Sequence, residues 1–337
     1  MWLPWVHMNK NFRRGVSIVV DKWMQVRPGE SMLIITDLQH HDEMKEVSKY
    51  AQALGANIQI RVVPGEYSQD LSPYFDELAV LMQNHSIIIG ATHYSLVTTE
   101  VVKQAVRSGS RFLSLPMATN DGRSILEYKF LTMNTDKARF MAKMLLKYIN
   151  ESTYIHLKTR SGTDLRFRKI GRKGSYFNGR AKDNKGFTSS SFEVYVAVEE
   201  DQSSGVGIVD GSLGYLGKVQ TPFSIRLDSG RIVDIEQNEF GMALDEYLKS
   251  FSDERIYNVS EFGIGLNTYS KCDGRCYIED ESAYGTAHIG FGRNHALGGE
   301  FEANGHFDIV FREPSIYADN RVIMEDGVIV VAEPDIW

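Results

Sequence analysis

The chain is short of the residues and patterns that mark several common functions. It holds two cysteines in 337 residues, which fits a reducing compartment. Its opening run, M-W-L-P-W-V-H-M-N-K, lacks the basic-then-apolar layout of a secretory leader, so a cytoplasmic protein is expected. No apolar run approaches the length of a membrane span. The formal net charge is only -7, and the missing basic balance argues against nucleic-acid binding. Neither G-x-G-x-x-G nor a P-loop occurs, so no nucleotide fingerprint is present. The two cysteines stand as C-x-x-x-C, Cys272 and Cys276. No second cysteine pair or close histidine pair completes a zinc site there, and a loop with free thiols is expected.

What remains is an ordinary globular composition, 42% apolar and 24% charged, at a length that suits two domains. Residues 11–27 read as a helix with Val16, Val19, Val20 and Trp23 on its apolar face, stopped by Pro28-Gly29. Strands are expected at 31–36, 58–63 (before a turn at Pro64-Gly65), 86–90 and 112–115. Helices are expected at 42–54, 74–83, 98–108 and 135–149. That alternation has the spacing of βαβ units and predicts a parallel sheet. From Ser152 the texture turns to strands, at 153–159, 164–169, 193–198, 205–209, 223–227 and 231–237, with one helix at 241–250. A final hairpin is expected over 320–331 around Asp326-Gly327. The expected architecture is therefore an α/β domain with a parallel sheet over 1–150, followed by a β-rich α+β domain over 151–337. The basic stretch 168–190, rich in Gly and Asn, reads as a long surface loop. His40, His41 and His93 follow strands and read as loop histidines.

The chemistry concentrates between Glu261 and Asp308. Three of the nine histidines lie there, His288, His295 and His306. In H-F-D-I-V-F apolar and polar residues alternate, so His306 and Asp308 project from one face of a strand. An imidazole and a carboxylate side by side on a strand make a half-site for a divalent metal. Glu193 opens another alternating strand, F-E-V-Y-V-A-V, on the same face as Tyr195 and Ala197. Glu261 sits in S-E-F-G-I-G and His288 in T-A-H-I-G-F-G, both among glycines that permit close backbone approach. Taken singly, each of these reads as an exposed acid, a strand-end charge or a core histidine; their concentration points to a metal site.

The blocks S-E-F-G-I-G-L-N, D-E-S-A-Y-G-T-A-H-I-G-F-G and G-H-F-D-I-V resemble the signatures of the thermophilic-type metalloaminopeptidases, the aminopeptidase T/S family. The resemblance covers most of residues 150–330. It implies a two-metal exopeptidase that takes short peptides or another small molecule, with zinc, cobalt or manganese held by Glu193, Glu261, His288, His306 and Asp308. It also implies a homodimer. Glu193 and Glu261 could share proton handling. Where the family has a tyrosine seven residues after the first histidine, this chain has His295, a further candidate catalytic group or ligand. The segment between His288 and His306 is also shorter than in the peptidases.

The dihydroxypyridine ring-cleaving dioxygenases resemble the same scaffold as a sister group. Their chemistry implies one iron(II) held by two histidines and a carboxylate, here His306, Asp308 and either His288 or His295. That group has a histidine where this chain has Glu261. Retention of Glu193 and Glu261 beside His288 favours the hydrolytic set. Presence of all five ligands argues against a relative without turnover.

Overall fold

The structure is a computed structural model and describes residues 9–64, 74–96 and 99–331. The opening run through residue 8, the Gly65 of the expected turn and the expected helix start at Thr98 lie outside them. In chain order the elements begin α1 (Lys10–Ser17), β1 (Ser31–Asp37), α2 (His41–Ala53), β2 (Asn57–Val63), α3 (Phe75–Gln83), β3 (Ile87–Ala91), α4 (Glu100–Arg107), β4 (Arg111–Ser114) and α5 (Thr135–Glu151). Next come β5 (Tyr154–Lys158), β6 (Asp164–Arg168), β7 (Ser175–Asn178), β8 (Phe187–Ser189), β9 (Phe192–Ala197), β10 (Ser204–Val209), β11 (Ser212–Leu213), β12 (Phe223–Asp228) and β13 (Arg231–Ile235). The chain closes with α6 (Glu239–Ser250), β14 (Val259–Gly265), α7 (Tyr277–Ser282), β15 (Thr286–Gly292), β16 (His306–Arg312), β17 (Ser315–Ala318), β18 (Arg321–Glu325) and β19 (Val328–Ile329).

The chain divides into two units. The first takes the described residues up to Leu96, Val101–Asn134 and Gly179–Ser190. Its sheet is parallel, in the order β2-β1-β3-β4-β8. Met32, Leu33, Ile34 and Ile35 of β1 are fully buried, as are Ile87, Ile88 and Ile89 of β3. A parallel sheet covered on both faces needs such unbroken apolar strands. Asn9 caps α1, its side-chain oxygen accepting from Phe12 N–H at 2.9 Å.

The second unit holds Thr99 and Glu100, Thr135–Asn178 and the described residues from Ser191 onward. Helix α5, expected to end the first domain at about residue 150, therefore belongs with the β-rich unit. Two antiparallel sheets build this unit. One has eight strands, β13-β12-β10-β6-β5-β17-β18-β19, and the other six, β11-β16-β15-β14-β9-β7. Their apolar faces share one core. Phe167 of β6 meets Phe262 of β14 with ring centroids 5.4 Å apart, and Tyr247 of α6 meets Phe307 of β16 at 4.9 Å. The final hairpin forms as expected, Met324 opposite Ile329 and Glu325 opposite Val328. Its turn residues Asp326 and Gly327 both have positive φ, the twist that a two-residue hairpin favours.

The stretch 168–190 is not a surface loop. It supplies β7, which pairs with β9, and β8, which completes the parallel sheet of the other unit. Its charge hides a Tyr176-Phe177-Asn178 core that is buried, while Arg172 reaches out to Glu200 at 2.7 Å. Cys272 and Cys276 are free thiols, as expected.

Candidate metal centre

The alternation seen in the sequence decides which face of the six-stranded sheet is chemical. Val194, Val196, Phe262, Ile264, Ala287, Ile289, Phe307 and Ile309 go to the core. Their sequence neighbours Glu193, Glu261, His288 and Asp308 leave by the opposite face and are still buried, at 1–4% exposure. Register then brings them together. Glu261 and Asp308 both lie opposite Gly290; His288 lies opposite Gly263, Glu193 opposite Gly265, and His306 opposite Gly292. Directly opposed residues in an antiparallel pair share a face, so each ligating type sits across from a residue with no side chain. The glycines are the room for the site. A Cβ on Gly290 would lie 2.8 Å from His306 Cε1, 2.9 Å from Asp308 Oδ1 and 2.9 Å from the Glu261 Cβ.

Two groups of possible ligands result, Glu193 with Glu261 and His288, and Glu261 with His306 and Asp308. Within each, one donor atom per residue lies within 4.8 Å of the others. His288 Nε2 is 2.8 Å from Glu193 Oε2, and His306 Nε2 is 3.1 Å from Glu261 Oε2 and 3.2 Å from Asp308 Oδ1. Yet among the described residues Glu193 Oε2 and Asp308 Oδ1 are buried without a well-aligned hydrogen bond. The imidazole nitrogens stand at ion-pair distance from these oxygens, with more acceptors than protons to share. Such orphaned carboxylate oxygens beside imidazole nitrogens are the donor set a hard or borderline divalent ion requires, so the residues fit a metal.

The outer atoms are tied. Ser191 Oγ donates to Glu193 Oε1 at 2.6 Å, Tyr277 donates its phenol to Asp308 Oδ2 at 2.6 Å, and His306 Nδ1 lies 2.9 Å from the Arg293 carbonyl oxygen. Helix α7, buried along its length, lies against this face and contributes Tyr277 and Glu281. Burial alone would discharge the histidines. The carboxylates beside them overcome it, holding His288 up at about 9 through Glu193 and His306 up at about 10 through Asp308 and Glu261. Asp308 is lowered despite its burial, chiefly by His306. Glu261 is raised by burial against the pull of His306, and Glu281 is pushed well up by burial and then by Glu193 and Asp308.

All five expected ligands converge. His295 does not join them: it opens a short 3-10 turn, with Nε2 3.1 Å from Glu302 Oε1. The sequence gives no sign of Ser191 or Tyr277, and Asp280-Glu281 reads by default as a loop or helix start. Y-I-E-D-E-S reads as a polar helix start, and only its position after the D-G-R-C turn and before the glycine-rich strand hinted at burial.

Comparison with known proteins completes the description. A family model described as 2,5-dihydroxypyridine 5,6-dioxygenase matches residues 20–331. A curated 2,5-dihydroxypyridine 5,6-dioxygenase from Pseudomonas putida is 24% identical over 225 residues, 61% of this chain. The chain spans 61% of that relative's length. Among solved structures, the dioxygenase from Pseudomonas putida superposes with a TM-score of 0.79 at 16% identity, covering 96% of this chain and 98% of that one. AmpT from Thermus thermophilus gives 0.65 at 14% identity, with coverage of 96% and 99%. Both carry the fold seen here, an α/β unit followed by a β-rich one. The family match thus falls on the group that the sequence reading placed as sister to the peptidases. By that match over most of its length, the chain belongs to the 2,5-dihydroxypyridine 5,6-dioxygenase family.

Proposed function

We propose that this member of the family is a two-metal hydrolase, an aminopeptidase acting on short peptides with zinc, cobalt or manganese. One observation carries the reading: Glu261 belongs to both ligand groups, and each group holds one imidazole and two carboxylates. A mononuclear iron site of the facial-triad type needs two imidazoles and one carboxylate on one ion. Among the described residues no group of three contains both histidines. When bound, two neighbouring ions supply an activated water and polarise the scissile carbonyl. The chain's own part is to present Glu193 Oε2, His288, Glu261, His306 Nε2 and Asp308 Oδ1 from rigid strands, with outer atoms pinned by Ser191, Tyr277 and the Arg293 carbonyl. Glu281, buried on α7 outside both groups and facing Glu193 and Asp308, is the carboxyl placed for proton transfer. The homodimer belongs to the same reading, and light scattering tests it.

A second reading, a ring-cleaving dioxygenase with one iron(II), is favoured by the family match and the curated relative. It would draw on His306, Asp308 and a second histidine. Metal analysis together with two assays separates the readings. Release of leucine from leucyl peptides, with about two zinc-like ions per chain, supports the hydrolase. One iron per chain, with oxygen uptake on 2,5-dihydroxypyridine and no peptide cleavage, overturns it.

A further inference from the structure

The two halves of the ligand set are not supported alike. In the Glu261/His306/Asp308 half, every residue beyond the shared Glu261 is tethered through its outer atom. The Arg293 carbonyl engages His306 Nδ1 at 2.9 Å, which selects the tautomer that leaves Nε2 for the site. That carbonyl is itself fixed, because Arg293 N–H donates to the Gly305 carbonyl at 2.9 Å. Tyr277 holds Asp308 Oδ2 at 2.6 Å and leaves Oδ1 inward, and the Tyr277 ring is braced by Tyr215, with centroids 4.6 Å apart. In the Glu193/Glu261/His288 half, Ser191 tethers Glu193. His288 has no such tie. Its Nδ1 is buried and has no hydrogen-bond partner among the described residues, where no acceptor selects its tautomer. The ring is positioned by packing over Gly263 and by its contact with Glu193.

Outer partners of metal-bound histidines and carboxylates raise affinity by about 10- to 100-fold. We infer that the centre loads in order: the Glu261/His306/Asp308 half takes the first ion tightly, and the Glu193/Glu261/His288 half takes a second, exchangeable ion. Tyr277 is the positioning residue that sets this order. The inference rests on the two-metal reading above and deepens it, because metal supply would then regulate the site through its weaker half.

The test is a titration of the metal-stripped full chain with cobalt(II), followed by its visible absorption and by calorimetry. Two steps are expected, separated by about tenfold or more. Asp308→Asn should remove the tight step and Glu193→Gln the weak one. Tyr277→Phe, which keeps the ring and its stack on Tyr215, should weaken the tight step by about 10- to 100-fold and leave the weak step in place. Loss of the tight step in Glu193→Gln with its retention in Asp308→Asn overturns the order. So does uptake of two ions at one affinity, which leaves the two-metal reading intact. Uptake of a single ion by the unaltered protein overturns both. Thermal unfolding of each variant confirms that it folds.

Discussion

Gly263 on β14 faces His288 on β15 across the ladder, and a Cβ on Gly263 would fall 2.0 Å from the His288 Nε2. The ring occupies the place of a missing side chain. Gly263→Ala should therefore expel His288 from the ligand set. The strand has no slack, since Phe262 and Ile264 beside it are buried in the core. Overpacking of this kind costs about 1–3 kcal/mol. The expected result is a folded but less stable protein that has lost one ion, read by metal analysis and a denaturant curve. Gly290→Ala should do more damage, because its Cβ meets His306, Asp308 and Glu261 together. If Gly263→Ala kept both ions, the glycine would not be the room that the ring occupies.

Protons and metal compete for the same atoms. His288 at about 9 and His306 at about 10 are both raised above the ordinary 6.5. A raised pKa means that their pairing with the carboxylates stabilises the metal-free fold fully below pH 6.5, and that this contribution is lost as pH rises through 9 and 10. The raised Glu261 and Glu281 act in the same direction, since ionising them costs stability. The metal-free protein should accordingly unfold at lower denaturant at pH 10 than at pH 6. Loading the site displaces the histidine protons, so apparent metal affinity should climb by about tenfold per pH unit for each proton displaced and level off above about pH 9 to 10. Calorimetry in buffers of different ionisation heat counts those protons. No proton release at pH 7 would mean that the imidazoles are not the ligands.

Much of this centre was legible before the fold. The i, i+2 spacing of His306 and Asp308 forces one face, and the same period fixes Glu193 with Tyr195 and Ala197. The glycines around Glu261 and His288 marked tight approach, and they are the cross-strand partners of the ligands. Helix and strand periods likewise placed most elements of both units. What was not legible depends on long-range pairing. The segment 168–190 has the charge of a solvated loop, yet β7 pairs with β9 and β8 with β4, partners that no local period reveals. Tyr277 reaches Asp308 across 31 positions of sequence. A polar helix such as Y-I-E-D-E-S is buried only because the chemical face it covers is itself polar.

The two sheets are clamped by aromatic contacts behind the metal face. Phe167 and Phe262 meet at 5.4 Å, and Phe262 lies between Glu261 and the site glycine Gly263 in sequence. Phe262→Ala should cost about 3–5 kcal/mol of stability, measured by urea unfolding of the metal-free chain. Because the cavity opens directly under Glu261, both metal steps should weaken together. Phe167→Ala should cost about as much stability, but its strand carries no ligand, so the steps should weaken less. Equal loss of affinity in the two variants would show that general loosening, not the strand under Glu261, governs the site.

His295 is the most informative residue to remove. The resemblance put it where the peptidases have a tyrosine, and a mononuclear iron triad could also recruit it. In the structure its Nε2 is 3.1 Å from Glu302, on a 3-10 turn after β15, and it enters neither ligand group. The ring is partly open to solvent, so truncating it leaves little buried surface uncovered. His295→Ala should then keep the same number of ions, the same two-step titration and a stability within about 0.5 kcal/mol of the parent, as surface changes do. Any activity lost should appear in turnover rather than in metal content. If His295→Ala instead lost iron while Glu193→Gln kept it, the histidine would be a ligand of a single-iron centre. The hydrolytic assignment would then give way to ring cleavage.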